Sequence, residues 1–291
     1  MKLIAFITVL AFAGPVAAQD TQPKNIVENQ TLKAQVLLDR AHFSVGEIDG
    51  TSGSNMRSAV KFFQEAHSLP VTGKIDDATL SALEDNQPIL KSYTLTADDV
   101  GGGFDPTKAK PSQKSSGKYR DVDEKLGELF QTNPKLLHKL NPGVKFEAGQ
   151  VIQVPAVNAP YSVKIAKIVV TKHDKSLKVY DEAGNLMGYY PTTLGDDQVV
   201  PYGTHKIIGV ANNPPYDHVL DGKRVQSDGG PNNPVGNVWM DLDVPHYGIH
   251  GSPSPDKIAK QKSHGCIRLT NWDANEVASA IVKNATVIVQ Q

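Results

Sequence analysis

The chain contains the run Ser263-His264-Gly265-Cys266-Ile267-Arg268, with His250 a short distance upstream of it. Cys266 is the single cysteine among 291 residues, so it has no disulfide partner within the chain. A lone cysteine that the fold can place beside a histidine is a candidate nucleophile and base pair. A free cysteine often packs as a small buried hydrophobic residue instead. The adjacent glycine and the surrounding histidines favour catalysis here.

The run resembles the signature of the L,D-transpeptidases, the YkuD-type catalytic domain of bacterial cell-wall enzymes. That signature is His-Gly-(Ser/Thr), a gap, and (Ser/Thr)-His-Gly-Cys followed by a hydrophobic residue and Asn or Arg. The matching parts of this chain are His250-Gly251-Ser252 and the run that ends at Arg268. The resemblance extends over residues 161–290 and includes Pro201-Tyr202-Gly203-Thr204. It implies a catalytic domain that is mostly a β sandwich.

The pattern from Tyr161 onward independently favours strands, because short β-branched runs alternate with turn residues. One helix is expected to begin at Thr270-Asn271-Trp272-Asp273, a capping-box arrangement. We therefore expect a multidomain α+β chain whose catalytic domain is mostly β sandwich. The expected strands cover residues 165–170, 176–180, 186–190, 203–208, 238–242, 247–250 and 286–289.

Residues 1–18 have the pattern of a signal peptide. Lys2 is followed by an apolar run, and Val16-Ala17-Ala18 offers a cleavage site. The apolar run is shorter than the roughly 20 residues that a membrane-spanning helix needs, although an uncleaved N-terminal anchor is the alternative. We expect export, with no membrane span after cleavage, to the periplasm or else to the wall or the medium.

The charges of the chain exclude one class of partner. There are 30 Lys and Arg residues against 31 Asp and Glu residues, a formal net charge of −1. Nucleic-acid binding would require a clustered basic excess. We therefore expect no nucleic-acid partner.

Two smaller modules are expected ahead of the catalytic domain. Residues 29–86 resemble a small helical peptidoglycan-binding domain, with the repeated runs Gly46-Glu47-Ile48-Asp49 and Gly73-Lys74-Ile75-Asp76 as turns and helix caps. A spacer without affinity for the wall is the alternative. Residues 92–157 resemble a LysM glycan-binding module of small α/β type, interrupted by a solvated linker at 101–118. Packing against the catalytic domain is an equally good interpretation of this segment.

Two histidines compete for the role of base. In an extended segment, His264 and Cys266 point to the same face, which permits contact without fixing the ring. His250 ends a predicted strand and can approach the thiol from a neighbouring strand. The resemblance also implies His250 as the base, with the Gly251 carbonyl accepting its ring proton. We expect His264 to shape the pocket.

Further residues are candidates for binding the substrate and the oxyanion. The amides of Gly265 and Cys266 could stabilise an oxyanion. Arg268 either binds a stem-peptide carboxylate or braces its loop through backbone carbonyls. Residues 212–237 form a long loop, a candidate lid. The other candidate substrate contacts, for which ordinary packing is the alternative, are Ser263, Tyr216, Asn233 and Trp239.

The resemblance implies the reaction. Cys266 attacks the carbonyl of the third stem-peptide residue and expels D-alanine, and an amine of another stem resolves the thioester into a 3→3 cross-link. If water resolves it, the enzyme is an L,D-carboxypeptidase or hydrolase; if a protein lysine does, it anchors a protein to the wall. A third hypothesis is a structural wall-binding protein with a vestigial site. The expected partners are stem peptides and glycan strands.

No metal or organic cofactor is expected. Two histidines of the signature and Cys266 could, with His246, be imagined as zinc ligands. A zinc-bound thiolate would be a poor nucleophile, so we prefer the metal-free interpretation.

Overall fold

The computed structural model describes residues 29–106, 114–157, 161–196, 198–220, 222–261 and 265–291. The expected signal peptide at 1–18, and the candidate residues Ser263 and His264, lie outside these ranges. None of the helices in the described ranges has the length and apolar character required to cross a membrane.

Three helices build the N-terminal module: α1 (Gln30–Arg40), α2 (Ser54–Ala66) and α3 (Asp77–Leu83). Asn29 caps α1 and Asp76 caps α3, each accepting hydrogen bonds from backbone amides of the first turn. The other aspartate of the repeated runs, Asp49, does not cap a helix. Its carboxylate accepts a hydrogen bond of 2.9 Å from Gln35 instead, so the repeat marks turns rather than two equivalent caps.

The segment that follows has its own small core, which lies between two paired strands and the helices that pack on them. Its elements are β1 (Leu90–Thr94), α4 (Ala97–Val100), α5 (Val122–Leu129), α6 (Pro134–Leu140) and β2 (Val151–Pro155). The strands are antiparallel, with Leu90 opposite Pro155 and Thr94 opposite Val151. Leu126 and Ile152 are buried between the helices and the strands. The resemblance to a LysM module stays a prediction.

The expected solvated linker is wrong for its last residues. The amide of Ser115 donates to Gln226 at 2.9 Å, and the amide of Asn232 donates to Gly117 at 2.9 Å. Gly117 is buried and has a φ of 68°, and a Cβ there would lie 2.5 Å from the carbonyl oxygen of Asp228. Only glycine fits this approach. Residues 114–118 thus form a strap along the loop at 226–232.

The remaining strands belong to the domain expected to be catalytic. They are β3 (Ile165–Thr171), β4 (Ser176–Tyr180), β5 (Leu186–Pro191), β6 (Gly203–Asn212), β7 (Tyr216–Leu220), β8 (Lys223–Ser227), β9 (Val238–Leu242), β10 (Gly248–His250), β11 (Ile267–Arg268) and β12 (Ile281–Gln290). Eight of them form one sheet with the order β11-β10-β9-β6-β12-β3-β4-β5, and β7 and β8 form a separate hairpin. Helix α7 (Asn271–Ala280) leads into β12.

The predicted α+β fold is confirmed, and its sheet is continuous. β6 pairs with β12 on one side and with β9 on the other, and its register against β9 shifts between Ile207 and Gly209. Such a shift bends a strand and increases its twist. The sheet therefore curls around one core, in which Val287, Ile168 and Met240 are fully buried.

The hairpin β7–β8 was not expected from the sequence, which predicted a long loop at 212–237. Its strands are paired from Tyr216 opposite Ser227 to Leu220 opposite Lys223. β7 is largely exposed, and β8 is exposed at Lys223 and Arg224 and becomes buried only at Ser227, so the alternation of apolar and polar residues that normally reveals a strand is missing.

The N-terminal module covers the outer edge of the catalytic sheet. β5 is the last strand of the sheet, and the amide of its Tyr189 donates to His42 at 2.9 Å while its carbonyl accepts from Ser44 at 2.8 Å. The Tyr189 ring is buried and stacks on Phe62, with ring centroids 4.8 Å apart. This covers a strand edge that would otherwise be open to another chain.

We predict that Tyr189→Ala lowers the free energy of unfolding by about 3–5 kcal/mol, the range for truncating a large buried aromatic side chain. Urea titration followed by circular dichroism measures it. Tyr180→Ala, at a half-buried position on β4, is the control and should cost clearly less. Equal losses in the two variants would contradict the anchoring role of Tyr189.

Candidate active site

The pairing of two very short strands determines which side chains meet. β10 and β11 are parallel, with Ile249 opposite Ile267 and His250 opposite Arg268. Both isoleucines are fully buried in the core. Because side chains alternate along a strand, His250 and Arg268 point to the opposite face. Cys266, two residues before Arg268, shares that face and lies diagonally across from His250.

Cys266 is half-buried beside the backbone of the strand next to it. Its Sγ lies 3.8 Å from the carbonyl oxygen of His246. Burial raises the pKa of the thiol above its ordinary value of 9.0, and the Gly248 amide and the Arg268 charge oppose this only in part. The resting thiol is therefore protonated at neutral pH.

His250 is buried and its ring is held from two sides. Its Nδ1 donates to the carbonyl oxygen of Gly251 at 2.7 Å, the contact that the resemblance implied. Its ring stacks on Trp239 with centroids 5.4 Å apart. Burial lowers the pKa of His250 to about 4; the carbonyls of Gly251 and Val235 oppose the shift, while Arg268 adds to it. The imidazole is therefore neutral at pH 7, with its proton on Nδ1 and a lone pair on Nε2.

These side chains line one cavity of about 470 Å³. Six of the candidate residues line it, namely Cys266, His250, Arg268, Trp239, Tyr216 and Gly265. The remaining wall is mostly apolar or aromatic and is formed by Val199, Pro214, Pro215, His218, Pro234, Val235, His246 and Tyr247. A mostly apolar groove with a few polar groups at one end is typical of a site for a small ligand or a peptide.

The guanidinium of Arg268 faces this cavity. Its Nε is buried and has no hydrogen-bond partner among the described residues. The backbone of Arg268, by contrast, is fixed, because its amide donates to Thr193 at 2.9 Å and its carbonyl accepts from Thr193 at 3.0 Å. Strand pairing thus holds the loop, and this favours anion binding by the side chain over the bracing role.

Asn233 does not reach the cavity. It is fully buried, and its side-chain amide donates to Pro214 at 2.9 Å and to Asp228 at 3.0 Å, while its Oδ1 accepts from Val235 at 2.9 Å. These bonds fix the shape of the loop behind the cavity wall. These contacts match the alternative of ordinary packing, and a substrate contact at Asn233 stays a prediction.

Gly265 has a fixed carbonyl, but its backbone does not require glycine. A Cβ at Gly265 would meet nothing within 4 Å, and its φ lies outside the left-handed region. The close approach occurs at Gly195, where a Cβ would lie 2.7 Å from the Gly265 Cα. The Gly265 carbonyl accepts from the Gly195 amide at 3.1 Å and from the Tyr247 hydroxyl at 3.0 Å.

Sequence reasoning assigned no role to two polar residues of the wall, Tyr247 and His218. Tyr247 was expected in a strand but without a role, although it contacts the loop that carries the cysteine. His218 lies on the unexpected hairpin, with its ring centroid 6.3 Å from that of His246. The described residues contain no group of three or more metal-binding side chains.

Two family models match the chain. The YkuD model, an L,D-transpeptidase catalytic domain, matches residues 166–289. A second model, "Putative peptidoglycan binding domain", matches residues 28–83.

Curated relatives match the same part of the chain. "Putative L,D-transpeptidase YkuD" of Bacillus licheniformis is 34% identical over 167 residues, which is 56% of this chain and 89% of that protein. The protein of the same name from Bacillus subtilis is 35% identical over 159 residues, covering 54% of this chain and 81% of the relative.

Among solved structures, L,D-transpeptidase 3 from Mycobacterium tuberculosis in complex with a faropenem-derived adduct is 18% identical. The match covers 50% of this chain and 76% of the mycobacterial chain, and its TM-score of 0.38 is too low to support an inference. The curated relatives supply the stronger finding, because one of them is matched over 89% of its length at 34% identity. The chain belongs to the YkuD family and is an L,D-transpeptidase, with a peptidoglycan-binding domain at its N-terminal end.

Proposed function

We propose that this enzyme cross-links peptidoglycan by acyl transfer through Cys266, with His250 as the general base. The observation that supports this best is the parallel register of β10 and β11, which brings both side chains to one face and into one cavity. The neutral imidazole, with its proton fixed on Nδ1, leaves Nε2 as the proton acceptor that a protonated thiol requires.

The first half-reaction forms a thioester. As Sγ of Cys266 attacks the carbonyl carbon of the third stem residue, its proton moves to Nε2 of His250. The tetrahedral intermediate collapses, the bond to the fourth residue breaks, and His250 returns the proton to the departing amine of D-alanine. The amides of Gly265 and Cys266 are our candidates for stabilising the oxyanion.

The second half-reaction forms the cross-link. The side-chain amine of another stem attacks the thioester, His250 accepts the proton of this amine, and the thiolate leaves. His250 then returns the proton to the sulfur. This gives a 3→3 cross-link and restores both neutral groups.

We assign the donor's terminal carboxylate to Arg268. The positive charge of Arg268 adds to the lowering of the pKa of His250 that burial causes, and thereby opposes formation of the imidazolium. A carboxylate bound to the guanidinium would neutralise this charge while it holds the donor. The D-alanine end of the donor would thus both anchor the substrate and make His250 a better base.

The N-terminal domain fits a role in holding the enzyme on the wall. We propose that it binds peptidoglycan and that the segment at 90–157 contacts glycan strands. Peptidoglycan as substrate implies an exported protein, and the periplasm agrees with the leader pattern at 1–18.

The first prediction for this site concerns the products. Wild-type enzyme incubated with disaccharide-tetrapeptides should give dimers that lack one D-alanine, detected by mass spectrometry, whereas Cys266→Ala should give none. His246→Gln is the matched control, because His246 lines the cavity but its side chain takes no part in the proposed steps.

Other product patterns would change the assignment. Cysteine-dependent tripeptides without dimers would identify water as the acceptor and make the enzyme a carboxypeptidase. Dimers formed equally well by Cys266→Ala would overturn the cysteine mechanism.

The second prediction concerns pH. Because His250 is a base only when neutral, kcat/KM should rise as the pH passes through about 4 and stay level through neutrality. Cys266 should react slowly with iodoacetamide until the pH exceeds 9.0, since burial keeps the thiol protonated. His173→Gln, at an exposed position, is the control and should leave both profiles unchanged.

The same shift of the pKa affects stability. In the unfolded chain His250 regains its ordinary pKa of 6.5, so the unfolded state binds more protons and stability falls as the pH drops from 6.5 toward 4. Rates at low pH therefore require short exposures. An acid limb centred near 6.5 instead of 4 would contradict the proposed state of His250.

The third prediction concerns Arg268. Arg268→Gln should raise KM for tetrapeptide donors by roughly 10- to 100-fold, the effect of losing about 1.5–3 kcal/mol of charged hydrogen bonding. A donor with its D-alanine carboxylate amidated is the chemical control. The variant should treat the acid and the amide alike, whereas the wild type should prefer the acid. An unchanged preference in the variant would exclude carboxylate binding by Arg268.

A further inference from the structure

Asn271, the first residue of α7, makes contacts that helix capping does not explain. Thr270 is the N-cap, accepting a hydrogen bond from the Asp273 amide with its side chain. The side chain of Asn271 is buried, and its Nδ2 donates to Oε1 of Glu128 at 2.7 Å and to the carbonyl of Pro231 at 3.0 Å. Two acceptors fix which end of the amide is the nitrogen. The oxygen end therefore points the other way.

Oδ1 of Asn271 lies against the backbone of Gly251, the residue whose carbonyl accepts the hydrogen bond from the His250 ring. A Cβ at Gly251 would be 2.3 Å from Asn271 Oδ1, and one at Gly236 would be 2.1 Å from it. Oδ1 is buried and has no hydrogen-bond partner among the described residues. The peptide at Gly251 is thus packed between the Asn271 amide and the His250 ring, to which its carbonyl is bonded at 2.7 Å.

Glu128 comes from a different module. It lies on α5, in the segment at 90–157, whose hydrophobic core is separate from that of the catalytic sheet. Its other carboxyl oxygen is 3.5 Å from the hydroxyl of Tyr119. Burial raises the pKa of Glu128 to about 8. The carboxyl is therefore neutral at pH 7, and a glutamine would keep both its shape and its acceptor oxygen.

We propose that Glu128 and Asn271 are positioning residues for His250, which makes the segment at 90–157 a part of the catalytic apparatus. Glu128 holds the Asn271 amide against Gly251, and the Gly251 carbonyl holds the proton of His250 on Nδ1. The proposal rests on the assignment of His250 as the base. Neither residue touches the thiol or the cavity that contains it.

The variants that test this change the hydrogen bond from Asn271 to the carboxyl group of Glu128. Glu128→Leu retains the approximate volume of the side chain without an acceptor, Glu128→Gln retains the acceptor, and Asn271→Ala removes the link itself. Asp123→Asn is the control, since Asp123 lies on the same helix and pairs with His138 inside its own module. Thermal unfolding of the full chain establishes that each variant is folded.

Two readouts are required. One is the tautomer of His250, read from long-range ¹H–¹⁵N spectra of the protein labelled at histidine. The other is the pair kcat and KM with disaccharide-tetrapeptides. We expect Glu128→Leu and Asn271→Ala to shift part of the His250 population away from the Nδ1–H form and to lower kcat about 10-fold at constant KM, a part of the 10²–10⁴ that a general base contributes. Glu128→Gln and Asp123→Asn should stay within about twofold of the wild type.

The outcomes separate this proposal from the proposed function. An unchanged tautomer in folded Glu128→Leu and Asn271→Ala would overturn the positioning role. A shifted tautomer without any loss of kcat would leave the physical link in place but would exclude His250 as the base. Equal losses in Glu128→Leu and Glu128→Gln would also overturn the proposal, because the glutamine keeps the acceptor.

Discussion

The parallel pairing of β10 with β11 is the constraint on which the rest of the site depends. Antiparallel neighbours such as β9 and β10 can be joined by a short turn, but parallel ones need a longer crossover, and here residues 251–266 supply it. The pairing commits Ile249 and Ile267 to the core, and that burial places His250 and Cys266 on the other face. A shift of either strand by one residue would turn its isoleucine out of the core and its catalytic candidate into it. The core therefore fixes the register, and the register fixes the chemistry.

The same burial sets the charge state of the site. No carboxylate of the described residues contributes to the pKa of His250, so the enclosed imidazole stays neutral, and the enclosed thiol keeps its proton. Such a pair stores no separated charge at rest. In the proposed mechanism, the proton moves only when the substrate arrives, and a fixed carbonyl at Gly251 offers less stabilisation of the imidazolium than a carboxylate would. Arg268 is held by its backbone, and its Nε has no hydrogen-bond partner among the described residues, so its charge faces the cavity.

Much of this could be predicted from the sequence. The α+β fold and most strands of the sheet follow from periodicity, and the contact from His250 to Gly251 follows from the family resemblance. The hairpin at Tyr216 could not, since neither of its strands alternates between a buried and an exposed face along its length. Asn233 and Asn271 show a second limit. Both are asparagines near the site, but only packing reveals that one braces a loop and the other contacts a glycine backbone. No local pattern records a contact with a distant module.

The strap at 114–118 changes where the catalytic unit begins. Gly117 lies so close to the backbone carbonyls of Asp228 and Gly229 that no side chain fits at this position. A boundary drawn at residue 161, where the strands of the catalytic domain begin, would cut away the strap and the helix that bears Glu128. Anyone who exchanges wall-binding modules between enzymes of this family would need to graft the catalytic domain of this chain together with its preceding segment. The smallest unit that could be transferred therefore begins upstream of residue 166, the first residue that the family model matches.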